Sequence, residues 1–218
     1  IFFFSDSDEE IPYENTIIFR TSLYRSRRKP NEFAMPAWCE DFVVKHFGGQ
    51  LSIRQKNEKA IVGFCGQTPG FKLNSLPLKG IIGHILHVGK YMIKDLRGWR
   101  GADSFIRTAA LRSMLKSPYI HTNFVIREQF LGGAQLSSGE MDFSKIHRLR
   151  EEYVRNMKES DYILCARGGG NYSYRLYETL SCGCPPLFID TDCVLPYDFD
   201  IEWKKYCIWV DWRDFKRI

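Results

Sequence analysis

Two charged residues three positions apart, Arg175 and Glu178, follow a run of three glycines, Gly168, Gly169 and Gly170. A fixed guanidinium can neutralise a diphosphate through paired hydrogen bonds, and a carboxylate can accept hydrogen bonds from two adjacent ribose hydroxyls. Glycines permit positive φ angles and let a ligand approach the main chain. This combination is typical of a nucleotide site, although the spacing alone is equally compatible with a surface ion pair worth about 0.2–0.5 kcal/mol.

The residues around this pair predict a strand, a turn and a helix. The run Tyr162–Ala166 is short and apolar, as expected of a strand covered on both faces of a parallel sheet. A helix starting near Tyr172 would direct unpaired N–H groups and a positive dipole at the glycine turn, where an anion would fit. Open α/β sheets bind ligands beyond the carboxyl ends of their strands. We therefore expect Gly66, Arg167–Gly170 and Asp190–Asp192 to border one crevice.

A second interpretation of the same turn is a dinucleotide fingerprint. Gly168 and Gly170 satisfy the first part of a G-x-G-x-x-G motif, and Asp190 follows about twenty residues later, where a ribose-binding acid is expected. This interpretation predicts an NAD-type oxidoreductase. Ser173 at the third glycine position weighs against it, because a side chain there obstructs close packing between helix and strand.

The order of short motifs over residues 153–210 resembles the nucleotide-sugar half of exostosin-type glycosyltransferases. The matching elements are Arg167-Gly168, Ser173-Tyr174-Arg175 with Glu178, Gly183-Cys184-Pro185-Pro186 and Leu195-Pro196-Tyr197. Departures from the family pattern are Ala166 for proline, Leu176 for phenylalanine, Thr179 for alanine and Tyr197 for phenylalanine. Looser similarity continues upstream through Phe105–Leu111, Ala60–Gly66, Asn15–Arg20 and Phe2–Asp8.

This resemblance implies an α/β fold of the GT-B type. Residues 58–218 would form a Rossmann-like donor domain with a parallel sheet, and residues 1–57 would be the remainder of a second α/β domain that binds the acceptor. The implied reaction is transfer of a sugar, with inversion, from a nucleotide sugar such as a UDP-sugar to a glycan hydroxyl. The family usually acts without an essential metal, so no cofactor is expected. A catalytically inactive module that binds carbohydrate or nucleotide is a further alternative.

The resemblance also implies roles for individual residues. Arg167 and Arg175 would contact phosphate, Glu178 the ribose, Ser173 and the turn amides at Gly168 and Gly169 a phosphate oxygen, and Tyr153 the base. Arg107 is a candidate for a second phosphate ligand. Tyr153 is also compatible with a simple helix anchor, and Arg107 with a surface arginine.

We look for a catalytic base on the acceptor side, since an acceptor hydroxyl must lose its proton to a carboxylate or histidine. Asp6 and Asp8 follow the apolar run Phe2–Phe4, so either could project into the crevice between the domains, and an exposed acidic turn is the alternative. Their D-x-D spacing resembles a metal motif but lies in the wrong half relative to the nucleotide site. Arg20 and Glu32 are weaker acceptor-side candidates.

Charge is distributed unevenly along the 218 residues, whose formal net charge is +5. Basic and acidic residues balance at eight each over residues 1–57, leaving 23 against 18 in the proposed donor domain. A modest positive field would attract a nucleotide sugar. The basic run Arg25–Lys29 could contact nucleic acid or an anionic glycan, but we expect a solvated loop there because no groove-reading motif frames it. No nucleic-acid partner is therefore expected.

Seven scattered cysteines predict reduced thiols, and Cys182 and Cys184 lack the partners of a zinc site. No apolar stretch is long enough for a membrane helix. The chain starts without methionine inside a predicted strand, which we interpret as a fragment or a processed chain. The compartment stays open between the cytoplasm and, if an upstream segment carries an anchor, the Golgi lumen.

Hydrophobic patterning predicts strands alternating with helices, which indicates a parallel sheet with right-handed crossovers. The predicted strands are residues 1–4, 17–19, 60–65, 120–126, 162–166, 186–190 and 206–210. The predicted helices are residues 37–46, 103–116, 145–159 and 172–182, with one more around Ile81–Leu96.

Overall fold

The computed structural model describes residues 2–7, 9–51, 53–55, 57–68, 71, 102–135 and 139–214. The chain first forms a small parallel sheet whose strands follow one another in space as they do in sequence. These strands are β1 (Phe2–Ser5), β2 (Ile17–Arg20) and β3 (Glu32–Ala34). A short helix, α1 (Phe42–His46), begins after Asp41, whose carboxylate accepts hydrogen bonds from the N–H groups of Val43 and Val44.

A five-stranded parallel sheet follows, in the order β5-β4-β6-β7-β8. Its strands are β4 (Ala60–Gln67), β5 (Ile120–Arg127), β6 (Tyr162–Cys165), β7 (Pro186–Asp190) and β8 (Ile208–Asp211). The connecting helices are α2 (Ala102–Leu115), α3 (Phe143–Lys158) and α4 (Tyr174–Ser181). The chain moves from β4 to one side and then returns past it to β6, so the strand order reverses between β4 and β6. Ligands of doubly wound sheets bind at such a point, beyond the carboxyl ends of the strands.

Two apolar clusters cover the two faces of this sheet. Successive strand residues point to opposite faces, and β6 shows the consequence, because Leu164 packs in one cluster while Ile163 and Cys165 pack in the other. The first cluster includes Ile106 of α2, and the second includes Leu176 of α4. Helices therefore lie on both sides of the sheet and leave the carboxyl ends of β4 and β6 between them.

The α/β class and the parallel sheets are confirmed, and most predicted elements lie within two or three residues of the observed ones. Strand β3 was not predicted. The helix predicted from residue 37 begins only at Phe42, because Asp41 caps it there. The helix predicted from Tyr172 begins at Tyr174. The suggested helix around Ile81–Leu96 lies outside the described residues, and the boundary at residues 57 and 58 stays a prediction. Within the described part of the chain, no helix is long and apolar enough to cross a membrane.

Candidate functional site

The carboxyl end of β4 is held by two arginines that approach it from different helices. Arg175 of α4 donates from Nη2 to the carbonyl of Cys65 at 2.8 Å, and Arg107 of α2 donates from Nη1 to the carbonyl of Gln67 at 2.6 Å. A Cβ atom on Gly66 would lie 2.6 Å from Nη2 of Arg175, so a glycine is required for this close approach. The structure thus brings Gly66, Arg107 and Arg175 together at the point where the strand order reverses.

Arg175 forms no direct ion pair with a carboxylate in the described part of the chain, although Glu178 is near enough to interact with its charge. Its guanidinium carbon lies 4.5 Å from the centre of the Phe64 ring and 5.8 Å from that of Tyr153. In the described part of the chain it forms no ion pair within 4.0 Å, and its Nε is buried without a hydrogen-bond partner. A guanidinium held by a carbonyl and by ring faces retains the charge and the donor capacity that an anionic ligand requires.

Arg167 takes a different position, beneath the glycine turn. It is buried, donates from Nη1 to the hydroxyl of Tyr24 at 2.9 Å, and donates from Nη2 to the carbonyl of Gly169 at 3.3 Å. The turn is closed by a hydrogen bond of 2.8 Å from the N–H of Gly168 to the carbonyl of Tyr172. Gly168, Gly169 and Gly170 all have ordinary φ angles, so the positive φ that they permit is not used.

Ser173 is the residue immediately before α4. Its backbone is extended, and its side chain makes no capping hydrogen bond to the helix. The hydroxyl of a serine at this position commonly satisfies an N–H group of the first turn. Here that capping bond is not formed, and the predicted contact of Ser173 with a phosphate oxygen stays a prediction.

Glu178 is buried and linked to α3. It accepts hydrogen bonds from the hydroxyl of Tyr153 and, at 3.3 Å, from Nη1 of Arg150. The alternative of a surface ion pair between Arg175 and Glu178 is therefore wrong, because Glu178 is buried and its partners belong to another helix. A carboxylate offers about four acceptor positions, so two remain for a ligand.

Arg150 connects Glu178 to the segment before α1. It donates from Nη2 to Glu40 at 2.5 Å, and its guanidinium carbon lies 4.5 Å from the centre of the Phe42 ring. Hydrogen bonds from Lys45 and from Arg150 lower the pKa of Glu40 to about 2. Burial raises the pKa of Tyr153 well above its usual value, so its hydroxyl stays protonated and donates to Glu178. The hydroxyl of Tyr153 is thus engaged with Glu178, and the predicted packing of its ring against the base stays a prediction.

The acceptor-side candidates lie around the small sheet. Asp6 is exposed just after β1, whereas Asp8 lies outside the described residues. Arg20 and Glu32 form a buried ion pair at 2.8 Å, and Nη2 of Arg20 also donates to the carbonyls of Ser7 and Glu9. The suggestion that Arg20 or Glu32 acts as a catalytic group is not supported, because both side chains are used to hold the turn that follows β1.

The basic run Arg25–Lys29 is exposed at Arg25 and Arg27, as expected of a solvated segment, and Arg25–Arg27 form a short 3-10 helix. Its four cationic side chains all have protein partners. Arg25 pairs with Asp190 at 3.3 Å, Arg27 with Glu10 at 3.7 Å and Arg28 with Asp198 at 2.7 Å, and Lys29 donates to the carbonyl of Ile11. Two of these contacts tie the run to the last residue of β7 and to the segment that follows it.

Asp190, the acid that the dinucleotide interpretation requires, is buried and engaged. Its Oδ2 accepts from Arg25 and from the indole N–H of Trp209 at 3.2 Å, and its Oδ1 accepts from the N–H of Cys193 at 3.0 Å. A ribose would have to displace these partners. The geometry therefore favours Glu178 over Asp190 as the acceptor for ribose hydroxyls.

A cavity of about 410 Å³ opens beside this site, at the carboxyl end of β5. It is lined by Val125, Ile126, Arg127, Glu128, Gln129, Gly132, Leu149 and Glu152. Arg127 is neutralised there by Glu152 at 2.7 Å, in contrast to Arg175. Arg127 is paired in register with Gln67 at the end of β4. The cavity therefore lies beside the strand end that Arg175 contacts.

Three contributors to this site were missed from the sequence. Arg150 could have been found, because it lies three residues before Tyr153 and such pairs share a helix face. Tyr24 and Asn171 had no local signal, since their partners are Arg167 and Ser22, more than a hundred residues away in the chain.

Comparison with known proteins gives short but clear matches. The chain is 36% identical over 64 residues to Exostosin-1 of Drosophila melanogaster, a stretch covering 29% of this chain and 8% of that protein. It is 36% identical over 62 residues to a "probable beta-1,4-xylosyltransferase" of Arabidopsis thaliana, covering 28% and 15%, and 37% identical over 65 residues to the Exostosin-1 homolog of Caenorhabditis elegans, covering 30% and 17%. No protein-family profile matches.

The matched segments span less than a fifth of the length of these relatives. Probable glucuronosyltransferases of rice show the same range of identity, for example 36% over 66 residues. By their names, these relatives are exostosins and glycosyltransferases, the class of protein that the motifs around Arg175 and Glu178 resemble. The resemblance of this chain to the exostosin-type glycosyltransferases is thereby confirmed.

Proposed function

We propose that this chain belongs to a glycosyltransferase that moves a sugar from a nucleotide sugar, in particular a UDP-sugar, to a glycan hydroxyl. The observation that carries the proposal is Arg175, a cation without a carboxylate partner in the described residues, at the end of β4. Relatives that are 36% identical over 62 to 66 residues are named as a probable glucuronosyltransferase and a probable xylosyltransferase. Arg175 would hold the diphosphate, assisted by Arg107, Ser173 and the amide at Gly169, while the amide at Gly168 is already used by the carbonyl of Tyr172.

Glu178 would bind the ribose hydroxyls in this proposal. Ribose hydroxyls would use the two acceptor positions that Tyr153 and Arg150 leave open. Tyr153 would then orient Glu178 through its hydroxyl, and its ring would border the nucleoside. Arg167 would support the turn from beneath through the carbonyl of Gly169.

The two sheets would correspond to the two halves of a GT-B enzyme, with the acceptor on the side of residues 1–57 and the donor on the side of residues 58–218. In the inverting reaction, the acceptor oxygen forms a bond to the anomeric carbon while the bond to the β-phosphate oxygen breaks. The electron pair leaves with the diphosphate, which the arginines stabilise. The proton of the hydroxyl passes to a carboxylate, for which Asp6 and Asp8 are the candidates. No step in this scheme requires a metal.

The experiment that tests this function compares UDP, GDP and NAD by thermal shift and calorimetry, followed by transfer from a panel of UDP-sugars to glycan acceptors. We expect UDP alone to stabilise the protein and one UDP-sugar to be consumed. Stabilisation by NAD in place of UDP would favour the oxidoreductase, and UDP binding without transfer of any sugar would favour an inactive binding module.

A further inference from the structure

A segment of the small-sheet side, residues 22–26, lies along the residues that follow β7. Tyr24 forms an isolated antiparallel bridge with Cys193. The N–H of Arg25 donates to the carbonyl of Asp192 at 2.8 Å, and the N–H of Val194 donates to the carbonyl of Leu23 at 3.1 Å. The segment therefore adds a short piece of backbone pairing at the carboxyl edge of the five-stranded sheet.

The same segment contacts the glycine turn from its buried side. The Oγ of Ser22 accepts from the N–H of Asn171 at 2.7 Å, and the carbonyl of Leu23 accepts from Nδ2 of Asn171 at 3.4 Å. The hydroxyl of Tyr24 accepts from Arg167 at 2.9 Å. Ser22, Leu23 and Tyr24 are all buried, so these contacts are shielded from water.

We propose that Tyr24 is a positioning residue for the phosphate-binding turn, an inference that rests on the proposed function. Arg167 bridges the hydroxyl of Tyr24 and the carbonyl of Gly169. In a planar trans peptide the carbonyl and the next N–H point in opposite directions. With the carbonyl of Gly169 held by Arg167, the N–H of Gly170 on the opposite side of this peptide would be left for a diphosphate oxygen. The hydroxyl of Tyr24, which accepts a hydrogen bond from Arg167, holds the guanidinium in this position.

The Tyr24→Phe variant tests the proposal, because it removes the acceptor for Arg167 and keeps the buried ring. We expect the dissociation constant of UDP, measured by calorimetry, to rise about fivefold to tenfold, which is less than the loss of a direct hydrogen bond to a charged group because Tyr24 acts on the ligand only through Arg167 and the turn. The affinity for uridine, which lacks phosphate, should stay unchanged. Equal weakening of UDP and uridine would indicate general damage to the fold and would overturn the positioning role.

The matched control is Ser26→Ala, which removes the hydrogen bond of 2.5 Å from Ser26 to Asp192 in the same segment but does not reach Arg167. It should leave UDP affinity unchanged, and a loss equal to that of Tyr24→Phe would overturn the proposal. In an Arg167→Met background, Tyr24→Phe should cause no further loss, whereas additive losses would show that the two residues act independently. Failure of the unsubstituted protein to bind UDP would instead refute the proposed function.

Discussion

Arg20 and Arg175 both place a guanidinium at the carboxyl end of a parallel strand, but their surroundings differ. Arg20 ends β2, is buried, and is neutralised by Glu32 at 2.8 Å. Arg175 reaches the end of β4, where it contacts a carbonyl and two aromatic rings. A buried arginine with a carboxylate partner is a structural element, whereas one held by neutral groups still carries a charge that an anion can use.

The two sheet edges therefore differ in charge, because Arg20 is neutralised by Glu32 and Arg175 forms no ion pair in the described residues. The Arg20–Glu32 pair fixes the turn that carries Asp6, since Arg20 also donates to the carbonyls of Ser7 and Glu9. In the proposed reaction, the acidic turn after β1 would accept the proton, and the basic edge at Arg175 would hold the leaving diphosphate. Variants at each edge can separate stability, transfer and donor binding.

The largest effect is expected on stability, at the small sheet. Glu32→Ala leaves Arg20 buried without its carboxylate and should lower the free energy of unfolding by about 3–5 kcal/mol, measured by urea denaturation. The control Glu10→Ala removes the exposed pair with Arg27 at 3.7 Å and should cost less than about 1 kcal/mol. Similar losses in both variants would contradict the structural role assigned to Arg20.

The next largest effect is expected on the rate of sugar transfer, while donor binding stays unchanged. One of the variants Asp6→Asn and Asp8→Asn should reduce the rate of sugar transfer about 100-fold, because a general base contributes at least that much. UDP affinity should stay unchanged in both, since the carboxylates lie on the acceptor side of the proposal. Full activity in both variants would place the catalytic base elsewhere.

Much of the five-stranded sheet could be predicted from the sequence, because its strands and helices have local signals. The run Tyr162–Cys165 is continuously apolar, and Asp142, directly before α3, is a residue type that commonly caps a helix. Strand β3 has three residues and a mixed polarity, so it depends on pairing with β2 and not on its own pattern. Three-residue strands of this kind are set by tertiary contacts.

The site could be predicted only in part, because some of its features are local in the sequence and others depend on tertiary packing. Arg175 and Glu178 could be recognised because their spacing on one helix is a local property. How Glu178 and Arg167 are engaged depends on Arg150 and Tyr24, whose positions are set by packing between distant segments. The partner of Arg25 could not be predicted for the same reason, since Asp190 lies 165 residues further along the chain.

Arg175→Met should weaken UDP binding about 30-fold, since hydrogen bonds to charged groups contribute about 1.5–3 kcal/mol. Calorimetry with UDP and uridine checks this, and uridine affinity should change little. The matched control is Arg25→Gln, which removes an arginine already paired with Asp190 and should leave UDP affinity intact. Equal losses in the two variants would remove the distinction between free and neutralised arginines at this edge.

Glu178→Ala should have the smallest effect, weakening UDP binding by more than about 1 kcal/mol while the fold stays intact. Its partners Tyr153 and Arg150 would both lose an acceptor, but Arg150 keeps its hydrogen bond to Glu40. The control Glu40→Gln removes the negative charge at the far end of the same network without touching Glu178 and should leave UDP affinity nearly unchanged. If Glu178→Ala bound UDP as tightly as the unsubstituted protein, its carboxylate would serve only to join α3 to α4, and the ribose would need another acceptor.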